Sequence, residues 1–198
     1  MHAEPSIDRI QRKVVWGRRV KLAAALACAL VVPSCSDTIR TGQGSSYLVI
    51  TTLAGKDGVP VHSDVVSDTG GIIDDVGTAD FTLQMKDVLN TPSANNAITL
   101  TQYQVEYIRS DGKNVQGVDV PFAFSGGLNL TVSGSGSTGF TIVRVQAKLE
   151  APLKALRGLG GNVVISTVAR VTFYGHDQTG REVTVTGNID VNFADWAG

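Results

Sequence analysis

Thiols, aromatic rings and long apolar runs are scarce in this chain of 198 residues. It has two cysteines, 6% aromatic residues and 18% charged residues. No uncharged apolar run reaches roughly 18 residues, the length that a membrane-spanning helix needs. The 22 glycines lack a three-residue period, which excludes a collagen-like chain. Hydrophobic residues make up 42% of the chain, and this fraction excludes intrinsic disorder for most of it.

Residues 1–34 have the organisation of an export signal. Six lysines and arginines and only two acids lie in residues 1–21. Residues 22–32 (LAAALACALVV) then form an uncharged apolar stretch, within the range of about 7 to 15 residues typical of a signal peptide and too short to span a bilayer. We therefore expect the leader to be cleaved.

The four residues Val32-Pro33-Ser34-Cys35 resemble the lipobox of bacterial lipoproteins, which implies that Cys35 is lipidated and becomes the mature N-terminus. Cys28 is a poorer candidate, because only six apolar residues would precede its box. An ordinary secretory signal is the other alternative. Ser36 does not resemble an inner-membrane retention signal, so we expect an outer-membrane lipoprotein of a bacterial cell envelope, anchored to the membrane by its N-terminal lipid.

Cleavage before Cys35 would leave a mature chain without a free thiol, since Cys28 is removed and Cys35 is acylated. This excludes disulfides, cysteine-zinc sites and thiol nucleophiles. Residues 35–46 would be the lipidated cysteine and a flexible tether rich in Gly and Ser, and residues 47–198 one domain. The mature chain has 11 basic residues (17 minus 6) and 16 acidic residues (18 minus 2), so we expect no nucleic-acid partner.

Hydrophobic residues alternate with polar residues along most of residues 47–198, the pattern of antiparallel strands with one buried face. Residues 47–53, 79–86 and 98–109 are three such segments, and the last changes phase near Thr101 and Gln102, which indicates a bulge. The sequence predicts an all-β immunoglobulin-like sandwich of about seven to eight strands with one short helix. The predicted core comprises Phe81, Leu83, Val105, Tyr107, Ile142, Ile165, Val171, Phe173, Val185 and Ile189.

Turn residues predict how the later strands connect. Asp111-Gly112 is typical of a type I′ hairpin turn, and residues 133–139 (SGSGSTG) would be a flexible loop that joins a pair of strands at 128–132 and 140–146. The short helix is predicted at residues 151–157. Residues 177–180 (DQTG) would close the last two strands into a hairpin, with Gly180 in the left-handed conformation.

Several segments together resemble a family of uncharacterised predicted bacterial lipoproteins. The resemblance covers most of residues 47–198 and implies an envelope lipoprotein with an immunoglobulin-like domain. It implies no activity, ligand or site residue. The segments are YQVEYIRSDG at 103–112, GVDVPF at 117–122, QAKLEAPL at 146–153, VISTVA at 164–169, VTFYG at 171–175 and VNF at 191–193.

Catalytic signatures are absent from the sequence. Neither a G-x-S-x-G elbow nor an H-E-x-x-H helix occurs, and the only histidines after the leader are His62 and His176. A hydrolytic triad would have to assemble in space with Asp64 or Asp177. Polar residues beside turns are more often solvated, so we do not expect an enzyme.

One acidic segment is the candidate for a cation site. Six aspartates occur between Lys56 and Lys86 without an intervening lysine or arginine. Ca²⁺ is bound by six to eight oxygen atoms of this kind, and Asp74 and Asp75 are the best candidate ligands. The alternative is a solvated acidic loop with no cofactor.

Four aromatic residues allow two interpretations. Tyr103 and Tyr107 share one strand face, and Phe122 and Phe124 share another. They would fill the core or form a surface for a glycan or peptide, and core packing is the simpler explanation.

We therefore expect a lipid-anchored envelope protein that is a non-catalytic binding or structural module, with an envelope protein or glycan as its partner. The alternative is a calcium-dependent or hydrolytic envelope enzyme that uses the acidic segment. The two differ in whether His62 or His176 lies beside a carboxylate and a hydroxyl in a pocket.

Overall fold

The computed structural model describes residues 44–196. The expected signal peptide, Cys35 and most of the expected tether lie outside these residues. Within the described residues, no helix is long and apolar enough to cross a membrane.

Eight strands dominate the described part of the chain, with one α-helix and three short 3₁₀ helices. The strands are β1 Ser46–Gly55, β2 Val61–Asp64, β3 Asp75–Met85, β4 Ile98–Ile108, β5 Phe124–Val132, β6 Ser135–Val143, β7 Ile165–Asp177 and β8 Glu182–Ala194. Helix α1 is Val145–Leu149, and the 3₁₀ helices are Ala94–Asn96, Leu153–Leu156 and Gly160–Asn162.

The strands form two sheets, which confirms the prediction of an all-β protein. One sheet has the order β1-β3-β6, and the other has the order β2-β8-β7-β4-β5. All pairs are antiparallel except β2 with β8. One of the two sheets is curled into a half-barrel.

The alternating segments place their apolar residues in one core. In β3, Ala79, Phe81 and Leu83 are buried while the residues between them face outward. Eight of the ten predicted core residues are buried, and Ile165 and Val185 are partly buried against the same cluster. Burial of apolar area on this scale is the main force that holds the two sheets together.

Two local predictions are confirmed in the five-stranded sheet. The register of β4 against both neighbours shifts between Leu100 and Gln102, where the bulge was predicted. The β7–β8 hairpin turns at 177–180, with Gly180 at a φ of 79°. There the Asp177 carbonyl accepts a hydrogen bond from the Gly180 N–H at 3.0 Å.

The predicted type I′ turn at Asp111-Gly112 is wrong. Among the described residues only glycines have positive φ, so Asp111 does not adopt the conformation that this turn requires. Instead, the Asp111 carboxylate accepts a hydrogen bond from the Lys113 N–H at 3.1 Å and pairs with Arg109. The chain then continues through a long loop before β5 begins at Phe124.

The prediction for residues 128–157 is wrong in three places. Strands β5 and β6 belong to different sheets, so they do not form the expected pair. Residues 135–139 are not a loop, because they pair with β3. The chain forms the α-helix α1 at 145–149, partly where a strand was expected, and the expected helix at 151–157 is only a 3₁₀ turn at Leu153–Leu156.

The strand directions give the domain two different ends. We call the end that holds Ser46 the near end and the end that holds Gly55 the distal end. Three connections lie at the near end: residues 86–97, 133–134 and 178–181. The two longest connections, 109–123 and 144–164, lie at the distal end, together with 56–60 and 65–74. Most of the loop surface is therefore opposite the point where the tether enters.

Candidate functional site

The distal end carries most of the exposed apolar side chains. Of the 14 large hydrophobic residues that are exposed in the described part of the chain, 11 belong to this end. They include Ile73, Val118 and Phe122, of which Val118 is 66% exposed. The number of exposed apolar side chains at one end of the domain makes this end a candidate interaction surface.

Hydrogen bonds within the β4–β5 loop hold its apolar residues in place. The Val115 carbonyl accepts hydrogen bonds from the N–H groups of Val118 and Asp119, and the Asp119 carboxylate accepts one from the Val115 N–H at 3.1 Å. Phe122 lies against Gly117, where a Cβ atom would be only 2.5 Å from the ring. This loop therefore presents Phe122 and Val118 from a fixed backbone.

A buried ion pair lies beneath the distal end. The Lys148 ammonium, on helix α1, is 3.0 Å from the Asp75 carboxylate at the start of β3. The Lys148 side chain is fully buried, and that of Asp75 is 18% exposed. Burial raises the pKa of Asp75 above its ordinary value, and the Lys148 charge offsets part of that rise.

The two candidate calcium ligands both have partners in the protein. Asp74 accepts a hydrogen bond from the Val145 N–H at 2.6 Å, and Asp75 pairs with Lys148. Both contacts join the acidic segment to helix α1. In residues 44–196, no three carboxylate, histidine or cysteine side chains are grouped so that they could hold a metal ion.

The other aspartates of the segment are dispersed. Asp57 lies in the β1–β2 turn, Asp68 is exposed in the β2–β3 loop, and Asp80 lies on the outer face of β3. Asp64 ends β2 and accepts a hydrogen bond from the Trp196 N–H at 3.1 Å. The acidic segment is thus not one loop of converging carboxylates.

Neither histidine forms a catalytic arrangement with a carboxylate in the described part of the protein. The His62 ring packs edge-on against Trp196, with their centroids 5.1 Å apart. The Nδ1 atom of His176 is 3.1 Å from the Asp177 carbonyl, and its ring lines a groove that also contains Glu182. Within residues 44–196, no hydrogen bond joins either imidazole to a carboxylate, although a carboxylate usually orients a histidine that acts as a general base.

A broad open groove lies beside His176. It has a volume of about 750 Å³ and lies on the outer face of the five-stranded sheet, across β4, β5, β7 and β8. Gln102, Gln104 and Tyr174 line it. It lies toward the near end and is separate from the apolar distal loops.

The aromatic residues singled out from the sequence divide between core and surface. Tyr103, Tyr107 and Phe124 are buried, which confirms core packing for these three, and Phe122 is half-exposed. Lys148 and the groove residues Gln102, Gln104 and Tyr174 were not predicted as functional residues from the sequence. The alternation of polar and apolar residues placed Gln102, Gln104 and Tyr174 outside the core. It could not show that β4, β5, β7 and β8 would form a groove.

Comparisons with known proteins add little. No protein-family model and no curated protein matches this chain. One solved structure, described as the X-ray structure of Northeast Structural Genomics Consortium target SoR45, aligns with 77% of this chain and 88% of that chain, with 9% sequence identity and a TM-score of 0.33. A likeness at this level carries no information about function.

Proposed function

We propose that this chain is a lipid-anchored protein of the bacterial cell envelope, sorted to the outer membrane, whose domain is a non-catalytic binding module. The anchor is Cys35, as its export leader and the Val32-Pro33-Ser34-Cys35 sequence indicate. Three acyl chains on one cysteine would give firm attachment, because each buried methylene contributes about 0.8 kcal/mol and two chains already suffice.

The order of the strands supports our proposal of an immunoglobulin-like relationship. In immunoglobulin domains, strands A, B and E are neighbours in one sheet and strands C, F and G in the other. Here β1, β3 and β6 have the first arrangement, and β4, β7 and β8 have the second. Strand β5 extends the second sheet beyond β4, as the additional strands of variable-type domains do.

The distal end would bind a protein partner, and the observation that carries this proposal is the separation of the two ends. The tether joins the domain at the near end, next to Ser46, whereas the two longest loops and most exposed apolar residues lie at the distal end. An anchor attached through this tether would therefore join the domain at the end opposite the two longest loops. Aromatic and aliphatic residues on ordered loops are typical anchors of protein interfaces.

Site-specific photo-crosslinking in living cells tests the partner proposal. A photoreactive amino acid at Val118 or Phe122 should give one common crosslinked protein, since both residues lie on the same loop. The same amino acid at Gln84, an exposed position on β3, is the matched control. The absence of an adduct at both distal positions, or the same adduct at Gln84, would contradict the proposal.

Metabolic labelling tests the anchor separately. Labelled palmitate should be incorporated into the wild-type protein and not into the Cys35→Ala variant, whereas Cys28→Ala should retain the label. Label that survives Cys35→Ala would show that the anchor proposal is wrong. Membrane fractionation of the labelled protein then tests sorting to the outer membrane.

A further inference from the structure

The outer face of the five-stranded sheet contains a polar groove with the size of a ligand site. Its volume of about 750 Å³ falls within the range of roughly 300 to 1,000 Å³ that is usual for small-molecule clefts. Four strands contribute to it, so most of its lining lies on the sheet, and Gly180 in the β7–β8 turn adds to it. Gly175, opposite the bulge in β4, leaves room for the two backbones to approach there, because a Cβ atom would be 2.1 Å from the Thr99 carbonyl oxygen.

The groove is lined almost entirely by neutral groups that form hydrogen bonds. Gln102 and Gln104 contribute amides, and Thr101, Ser125 and Thr184 contribute hydroxyls. Among residues 44–196, Glu182 and His176 are the only titratable lining residues besides Tyr174, and no lysine or arginine of this range lines the groove. Amides and hydroxyls both donate and accept hydrogen bonds, as the hydroxyls of a sugar do.

Several of these groups are unused by the protein itself. Gln102, Ser125 and Thr184 are exposed, and their side chains have no hydrogen-bond partner in residues 44–196. These three side chains lie on three different strands, so they could bind a ligand that has several hydroxyl groups at different positions.

Tyr174 supplies an aromatic ring held in a fixed position. Its hydroxyl donates a hydrogen bond to the Gln104 side-chain oxygen at 3.1 Å, and the residue is half-buried in the middle of the groove lining. Aromatic rings with a polar end suit ligands that have both C–H faces and hydroxyls. A pyranose ring has this combination.

We propose that this groove binds a neutral oligosaccharide. A strongly anionic ligand would meet the Glu182 carboxylate without a lysine or arginine to neutralise it, and an apolar ligand would bury unpaired amides and hydroxyls at a cost. The proposal goes beyond the proposed function, because the groove and the distal loops are different surfaces. Tyr174 and Gln102 are the residues on which recognition depends most.

Calorimetric titration of the full-length protein tests the proposal, in a detergent without a sugar headgroup. The neutral probes are the trimers of N-acetylglucosamine, of β-1,4-linked glucose and of α-1,4-linked glucose. Trigalacturonate is the anionic probe and trimeric glucosamine the cationic one. At least one neutral trisaccharide should bind, and it should bind about tenfold more tightly than either charged probe, a difference of about 1.4 kcal/mol.

Two pairs of variants connect binding to the groove. Tyr174→Ala and Gln102→Ala should each weaken binding of the neutral trisaccharide about tenfold, or about 1.4 kcal/mol. The matched controls Tyr47→Ala and Gln84→Ala change exposed residues of the other sheet and should bind like wild type. Gln102→Ala still tests the proposal if Tyr174→Ala fails to fold.

Three results would overturn the proposal. They are no binding of any neutral trisaccharide, equal or tighter binding of a charged trisaccharide, and wild-type affinity in both Tyr174→Ala and Gln102→Ala. A variant of Phe122 should bind the trisaccharide like wild type, because Phe122 lies outside the groove. Failure of the groove proposal can therefore be distinguished from failure of the proposal that the distal end binds a protein.

Discussion

The Tyr107 hydroxyl donates a hydrogen bond of 2.6 Å to the Ile142 carbonyl and thereby joins the two sheets. Tyr107 lies on β4 and Ile142 on β6, which belong to different sheets. Tyr103 forms a second such connection, since its hydroxyl accepts a hydrogen bond from the Thr141 N–H at 3.1 Å. Burial raises the pKa of Tyr107, so this hydroxyl remains protonated as the hydrogen-bond donor.

Replacing Tyr107 by Phe should lower the free energy of unfolding by about 1 to 3 kcal/mol, because the buried Ile142 carbonyl loses its hydrogen-bond partner. Urea denaturation followed by far-ultraviolet circular dichroism measures the change. Tyr47→Phe is the control, since Tyr47 is 48% exposed and should unfold like wild type. Equal stability of Tyr107→Phe and wild type would show that this link between the sheets contributes nothing.

A cluster of aromatic rings forms the centre of the core. The Phe173 ring lies 5.0 Å from that of Phe81 and 5.6 Å from that of Phe140, with both contacts edge-to-face. Phe173 is fully buried. Replacing it by Ala should cost about 3 to 5 kcal/mol, through lost burial and the cavity left behind.

Because a domain of this size is stable by only about 5 to 15 kcal/mol, we expect a clear fall in the urea midpoint of Phe173→Ala. The outward-facing Thr172→Ala in the same strand is the control. A change below about 1 kcal/mol in Phe173→Ala would be inconsistent with a packed core at this position.

The β4 bulge requires glycine at position 175. A Cβ atom on Gly175 would lie 2.1 Å from the Thr99 carbonyl oxygen, whereas a Cβ atom on Gly127 would meet nothing within 4 Å. We expect Gly175→Ala to cost about 1 to 3 kcal/mol from overpacking and Gly127→Ala to be neutral or slightly stabilising. Thermal unfolding of both variants measures the contrast, and equal melting temperatures would contradict the close approach.

The sequence predicted those parts of the fold that depend on local patterns. Alternation gave the buried faces of β3, β7 and β8, and the phase change near Thr101 gave the bulge, because each depends on consecutive residues. Pairing partners were harder to predict, since residues 135–139 pair with β3, a strand far away in the sequence. Strand β2, with four residues, is too short to show a pattern.

The candidate sites depended even more on contacts between distant segments. Lys148 is separated by 73 positions from Asp75, so no local spacing connects them. The outward-facing residues of β4 and β7 follow from alternation, but the groove that they form with β5 and β8 does not. The anchor prediction rests on the contiguous residues before Cys35 and remains a prediction.

The partners of Asp74 and Asp75 lead us to expect no response to calcium. The Val145 N–H contacts the Asp74 carboxylate and the Lys148 ammonium contacts that of Asp75. In residues 44–196 no third metal-binding side chain is grouped with them. The melting temperature should be the same in millimolar calcium and in chelator. Calcium present at a hundredfold above its dissociation constant would add about 2.7 kcal/mol to the free energy of unfolding, and thermal unfolding readily detects an increase of this size. A rise that is lost in Asp74→Asn/Asp75→Asn would instead place a cation site there.

The Asp75–Lys148 pair should make stability depend on pH once its cation is removed. The pKa of Asp75 in the folded protein is already raised, because burial outweighs the attraction of Lys148. Replacing Lys148 by Met removes that attraction and should raise this pKa further. When the pKa of a carboxyl group is higher in the folded protein than in the unfolded chain, its protonated form stabilises the fold. This stabilisation is fully present at pH values below the ordinary pKa of 3.8, and it is lost as the pH rises through the folded-state pKa.

Lys148→Met should therefore lose progressively more stability than wild type as pH increases from the ordinary aspartate range to neutrality. At pH 7 we expect the free energy of unfolding of Lys148→Met to be about 3 kcal/mol lower than that of wild type. This value is at the lower end of the range for a broken buried ion pair, because the Asp75 side chain is 18% exposed. The double variant Lys148→Met/Asp75→Leu should lack the additional pH dependence, and the exposed Lys154→Met should match wild type. Urea unfolding at a series of pH values measures all four proteins. A loss in Lys148→Met that is the same at every pH would show that the lysine contributes through packing of its side chain and not through its charge.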